Sequence, residues 1–178
     1  MKRISRRGLS NLVAKTGTRG RRAWFTPGLF DQVVRSQLPA AIEIVEAPLP
    51  AKQNYNCFLF ALGLHRSQSV LKQSKGFIYS PFLEKLLDLG LLKVTKTHKA
   101  GDMVLYRNPS RFGKEFTHAG IVQRDGTVIS KWSWGPLLRH RMLDVPSFYG
   151  SKLVFVKALK KGQAQKFWSK YHSSNKKK

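Results

Sequence analysis

From Ala100 onward the chain changes its period, and this change constrains the fold more than any other feature of the sequence. Upstream, apolar residues cluster in short runs bounded by helix signals. Asn54 or Asn56 can cap a helix over Cys57–Leu64, with Gly63 near its end. Ser80 as N-cap and Pro81 at the first helical position start a helix over Phe82–Leu89, which Gly90 stops. A short helix fits Asp31–Leu38, and Ala47–Lys52, with Pro48 and Pro50, reads as extended. Trp24–Phe30 is aromatic, with a Pro27-Gly28 turn signal. Downstream, Met103–Arg107, Ala119–Gln123, Thr127–Trp132 and Leu153–Ala158 are rich in β-branched and aromatic residues and read as strands. Arg124-Asp125-Gly126 supplies the hairpin turn between the second and third. Helices followed by an antiparallel meander predict an α+β domain with the helices on one face of the sheet. There is no internal repeat.

Charge divides the chain differently. The 33 Lys and Arg residues against 9 Asp and Glu give a net +24. Residues 1–30 hold eight basic residues and no acid, and residues 145–178 hold nine and no acid. Residues 31–144 hold sixteen basic and nine acidic residues, a net +7. The expected organisation is therefore a basic, flexible arm over 1–23 that forms no core, a domain over 24–160, and a basic tail over 161–178. Such ends attract polyanions: nucleic acid, anionic lipid or anionic wall polymer. With 42% hydrophobic residues a fully disordered chain is excluded. No apolar run approaches the roughly 20 residues of a membrane-spanning helix, and no apolar core of a secretory signal follows the N-terminal charges. The Arg-rich, acid-free start leaves mitochondrial import as an alternative to a cytoplasmic or virion-associated location, with Met1 at the head of the chain read against cleavage.

The single cysteine excludes a disulfide framework and a multi-cysteine zinc site, and His65, His98 and His172 have no metal-ligand spacing. No cofactor is expected. Cys57 opens its helix, where free backbone N–H groups and the positive helix end favour thiolate. His118, in FTHAGIV, leads a strand, and Gly120 on the same face removes a side chain and opens space beside the imidazole. A helix-start thiol facing a strand histidine is what a cysteine hydrolase needs, since the imidazole takes the thiol proton and returns it to the leaving group. A buried, inert cysteine and an ordinary strand histidine are the competing interpretation.

Three blocks between Asn54 and Ala158 resemble the NlpC-type branch of the papain-like cysteine peptidases and amidases. They are Asn56-Cys57 entering FLFALG, the Gly-Asp-apolar strand AGDMVLYR at Ala100–Arg107, and HAGIVQRDGTVIS at His118–Ser130. Cysteine precedes histidine, as in this branch and unlike its circularly permuted relatives. The resemblance implies a papain-like core with Cys57 as nucleophile and His118 as base. It puts Ser130 in the third catalytic position, usually His, Asn, Gln or an acid. Serine orients more weakly, which implies a slow or specialised enzyme. The family's Asp before the cysteine and Ser-Gly after it are here Asn56 and Phe58-Leu59, and its upstream Tyr corresponds to Tyr55 or Tyr106.

Around this centre, Asn54, Tyr55, Asn56, Trp132 and Trp134 are the candidate substrate-binding residues, the tryptophans as a cleft wall for sugar or peptide. Asn54 is also a candidate oxyanion donor beside the Cys57 N–H. Asp102 reads as a turn cap. His140, between arginines, reads as a surface residue, with an approach to the cleft as the alternative. The leading functional expectation is a thiol hydrolase of amide or peptide bonds, with cell-wall peptide as substrate and polyanion-binding tails. The alternative is a catalytically weak fold relative that binds nucleic acid or another polyanion, virion- or ribosome-associated. An organellar RNA-associated protein is a third, without an RRM or KH signature to support it.

Overall fold

A computed structural model describes residues 4–15, 26–50, 53–109, 115–160 and 162–175. Helix α1 (Arg6–Lys15) is followed by an irregular helical segment over residues 27–37, which passes from one α turn through a π segment, Phe30–Val34, to a 3-10 turn, Arg35–Gln37. Strand β1 (Glu43–Glu46) precedes α2 (Cys57–Ala61), α3 (Gln68–Ser74) and α4 (Ser80–Asp88). The remaining strands are β2 (Val94–Thr95), β3 (Met103–Arg107), β4 (Phe116–Val122), β5 (Val128–Lys131), β6 (Leu137–His140) and β7 (Lys152–Val156). Helix α5 (Gln163–Asn175) ends the described chain. The seven strands form one antiparallel sheet in the order β1-β6-β5-β4-β3-β7-β2. The α+β class expected from the sequence is the class observed.

The sheet is covered on both faces rather than one. Met103 and Leu105 of β3, Ala119 of β4 and Val156 of β7 pack with α2, α3, α4 and α5 in one core. The alternate residues Val104, Tyr106, Val122, Val128 and Leu138 pack in a second core with Leu9, Leu12, Phe30 and Val34. Period-two alternation thus sends successive residues of β3 into two apolar layers, and for that reason MVLYR carries almost no polar residue.

Both basic ends contribute to these cores, which corrects the reading of 1–23 as an arm and of 161–178 as a tail. Leu9 and Leu12, one helical turn apart, form a narrow apolar stripe on an otherwise polar helix. Arg6 Nε donates to the Val145 carbonyl at 3.2 Å, the same guanidinium donates to the Gly150 carbonyl, and Ser147 N donates to Ser10 Oγ at 2.7 Å. At the other end, Ala164 and Trp168 of α5 are buried, and Trp168 donates to Gln73 Oε1 at 2.8 Å. Each stripe is too short to stand out among the charges, and the sheet and α4 supply the surface that makes it worth burying. Residues 16–23 and 176–178 lie outside the described chain, as do Trp24 and Phe25 of the aromatic segment.

Within the domain, the four expected strands are present, with ends shifted by up to three residues. β1, β2 and β6 have no counterpart among the strands that the sequence predicts. The helix expected over Cys57–Leu64 ends at Ala61 and passes into a 3-10 turn after Gly63, whose φ is +69°. Ser80 does not cap α4; Tyr79 is the N-cap residue, and the Ser80 hydroxyl donates to Glu84 Oε1 and accepts from Phe116 N, both at 2.7 Å. It therefore ties α4 to the start of β4.

Candidate functional site

The start of α2 sits where β4 and β5 part. These strands pair through Ile121–Ile129 and Val122–Val128, and the ladder does not extend to Ala119 and Lys131. Asn56 is the N-cap: its Oδ1 accepts from Leu59 N at 3.2 Å, and its Nδ2 donates to the Ile78 carbonyl at 2.7 Å. This holds Cys57 at the first helical position. The thiol is buried, with the backbone of Ala119 as a hydrogen-bonding neighbour. Burial pushes it up to about 12; the backbone N–H groups of Ala119, Phe58 and Cys57 oppose this and do not overcome it. The expectation that the helix start would favour thiolate is thus reversed in the closed site. A five-residue helix sums few peptide dipoles, and loss of water outweighs them.

His118 is completely buried on β4, opposite Tyr106 of β3. Its ring stacks on Tyr149, with centroids 3.8 Å apart and planes 12° from parallel. His118 Nε2 lies 2.9 Å from Ser130 Oγ, and Nδ1 is buried with no hydrogen-bond partner. Burial, reinforced by His140, holds the imidazole well below its usual range, so it is neutral at pH 7. No hydrogen bond joins it to the Cys57 thiol, which lies against the next residue of the strand.

Ser130 reaches His118 because of Gly120. A Cβ there would lie 2.4 Å from Val128 Cγ1 and 3.0 Å from Ser130 Cβ. The space that the glycine opens beside the imidazole is filled by Val128 and Ser130 of β5. Ser130 Oγ also lies 2.7 Å from His140 Nε2 and accepts from Trp132 Nε1 at 3.2 Å. His140 is therefore not a surface residue: it is 1% exposed, with Nδ1 2.7 Å from the Arg141 carbonyl oxygen. Burial lowers it to about 4, against the Arg141 carbonyl and the charge of Asp144. The missed signal was the alternation of Leu138 and His140 on a strand that its arginines disguised.

Of the residues proposed to bind substrate, Trp134 alone is substantially exposed, at 37%. Asn54 is buried; its amide donates to the Leu49 carbonyl at 3.4 Å and to the Trp134 carbonyl, and its Oδ1 accepts from Tyr55 N at 2.9 Å. These bonds commit its donors and remove it as an oxyanion donor. Asn56 is the buried cap. Tyr55 is buried, donates to Glu46 Oε1 at 3.3 Å, and lies under Lys131 Nζ at 4.6 Å from its ring centre. Lys131, itself buried, is 3.4 Å from the same carboxylate oxygen. Trp132 is buried on Ser130. These residues brace the site rather than line it. Tyr106, the other candidate for the family's tyrosine, is buried and donates to the Met142 carbonyl at 2.8 Å.

An open cleft of about 480 Å³ adjoins the centre, lined by Phe58, Phe77, Tyr79, Thr117, Phe148 and Tyr149 among others. It reaches the residue after Cys57, the residue before His118, and the tyrosine that covers His118. Phe77 stacks obliquely near both Tyr79 and Trp134, so the mouth is aromatic. Asp102 caps the turn before β3 as expected, accepting from Lys99 N at 3.0 Å. Among the described residues no group of three or more His, Cys, Asp or Glu side chains is placed to hold a metal, and no helix is long and apolar enough to cross a membrane.

Residues 46–157 match the family described as Domain of unknown function (DUF7689), and the chain belongs to it. Cys57, His118, Ser130 and His140 all fall inside the matched segment, whereas α1 and α5 lie outside it. No match was found among curated proteins or among solved structures.

Proposed function

We propose that this member of the family is a thiol hydrolase of amide or peptide bonds with a papain-like, NlpC-type organisation, in which Cys57 is the nucleophile and His118 the base. The observation that carries the reading is the state of His118. One ring nitrogen is held by Ser130, and the other is buried without a partner, one residue from the backbone that faces the thiol. A buried polar atom left unsatisfied is costly, and such atoms are found where chemistry uses them. In the reaction the Cys57 sulfur attacks the carbonyl carbon as His118 Nδ1 accepts the thiol proton. The N–H groups of Cys57 and Phe58 receive the oxyanion. Nδ1–H then protonates the departing amine, and His118 activates the water that releases the acyl group. Substrate occupies the aromatic cleft, and displacement of Tyr149 lets thiol and imidazole meet. Peptide of the cell wall is the substrate class this reading favours, with the chain's +24 charge holding it to anionic polymer.

A second reading is supported by the raised thiol and its cover: a catalytically silent relative that binds nucleic acid or another polyanion by charge. Alkylation separates them. A thiol at about 12 is ionised to roughly one part in 10⁵ at pH 7. The hydrolase reading expects iodoacetamide to modify Cys57 at pH 7 far faster than that fraction allows, and expects His118→Ala to remove the advantage. Modification only at alkaline pH, indifferent to His118→Ala, would favour the silent relative.

A further inference from the structure

We propose that His140 is a positioning residue that acts through Ser130 to place the proton of His118 on Nε2 and keep Nδ1 free. Three adjacent strands, β4, β5 and β6, carry His118, Ser130 and His140, and the donors and acceptors between them are fixed from the His140 end. The Arg141 carbonyl has only lone pairs to offer, so at 2.7 Å His140 Nδ1 must carry a hydrogen and donate it. His140 is buried, and among the described residues no carboxylate is hydrogen-bonded to it, so its ring is neutral. With the ring's one proton on Nδ1, His140 Nε2 is an acceptor.

Ser130 Oγ, 2.7 Å away, must therefore donate its hydrogen to His140. The hydroxyl retains two lone pairs. Trp132 Nε1–H, which can only donate, takes one of them at 3.2 Å. The other faces His118 Nε2 at 2.9 Å, and only a protonated Nε2 can use it. His118 is neutral, so its single proton is now placed and Nδ1 is bare. That nitrogen is the unpartnered atom. A serine alone could have donated to His118 and selected the opposite tautomer. His140 and Trp132 together deny it that choice, which makes the weak-looking third position directional.

The value of a bare Nδ1 as a base rests on the thiol-hydrolase reading; the placement of the protons does not. The test is long-range ¹H–¹⁵N correlation of the full chain, labelled with ¹⁵N-histidine, at pH 7. His118 is identified by the signals lost in His118→Gln, and His140 by those lost in His140→Gln. Expected are a protonated Nε2 and bare Nδ1 for His118, and the reverse for His140. His140→Gln offers Ser130 a carbonyl acceptor and should preserve the His118 pattern, whereas His140→Leu should lose it or mix the two tautomers. A protonated Nδ1 on His118, or a protonated Nε2 on His140, in the wild-type chain overturns the proposal, even if His140→Leu does not fold. So does a His118 pattern that His140→Leu leaves intact. The expected tautomers in a chain whose Cys57 proves inert would remove the hydrolase reading and leave the relay standing.

Discussion

Mild acid should destabilise this protein, because its buried histidines bind protons less readily in the folded chain than in the unfolded one. An unfolded histidine titrates near 6.5, while burial lowers folded His140 to about 4. Between these values the unfolded chain holds a proton that the folded chain does not, so stability falls as pH falls. The contribution is complete above the unfolded value and is lost progressively from about pH 6.5 to about pH 4. Going from pH 7.5 to pH 5, the two binding polynomials give a loss of about 2 kcal/mol from His140 alone. His118, also lowered by burial, adds to the loss with the same sign, and so does partly buried His65. Against a total stability of roughly 5–15 kcal/mol, this is a large fraction. The assay is urea unfolding at both pH values, in constant salt, on the full chain and on His140→Gln. The variant starts less stable but loses less on acidification, by about 2 kcal/mol. Equal stability at the two pH values, or a pH dependence that His140→Gln leaves unchanged, would refute the assignment of a neutral, buried His140.

Two further substitutions probe what positions the site. Leu9→Ala should cost about 3 kcal/mol in urea unfolding, because Leu9 is 2% exposed in the core beneath β3 and β6; a change under about 0.5 kcal/mol would return α1 to the status of an arm. Gly120→Ala should cost about 2 kcal/mol by pushing β5 away from β4, and should also shift the His118 imidazole resonances as Ser130 withdraws. Unmoved resonances would show that the glycine does not govern that contact.

Legibility in the sequence followed the strength of local pattern. β3 is legible to the residue because both its faces are buried and its residues favour a strand. β1, with glutamates at both ends of Glu43–Glu46, is an edge strand that only its pairing with β6 defines, and β2 has two residues. The helices α1 and α5 were hidden for a different reason. Each buries a stripe of small extent under an excess of charge, and the stripe has meaning only against a sheet that the local sequence does not reveal. At the site, Cys57, His118 and Ser130 could be singled out by residue type and motif, and hydrogen bonding joins the last two. His140 could not, because its role depends on the register of β5 with β6, which sets Ser130 opposite Leu138 and Val128 opposite His140. The burial that raises the thiol is likewise tertiary: it arises from packing around α2, not from the residues beside Cys57.

Trapping the acyl-enzyme shows whether Cys57 is a nucleophile served by His118. The full chain is mixed at pH 7 with the activated ester p-nitrophenyl acetate and followed by p-nitrophenol release and intact mass. Expected are a burst of one equivalent with a single acetyl group on Cys57, no such adduct in Cys57→Ala, and acylation slowed by roughly 10²–10⁴ in His118→Ala. An acetyl group absent from Cys57, or one that forms as fast without His118, would contradict that role.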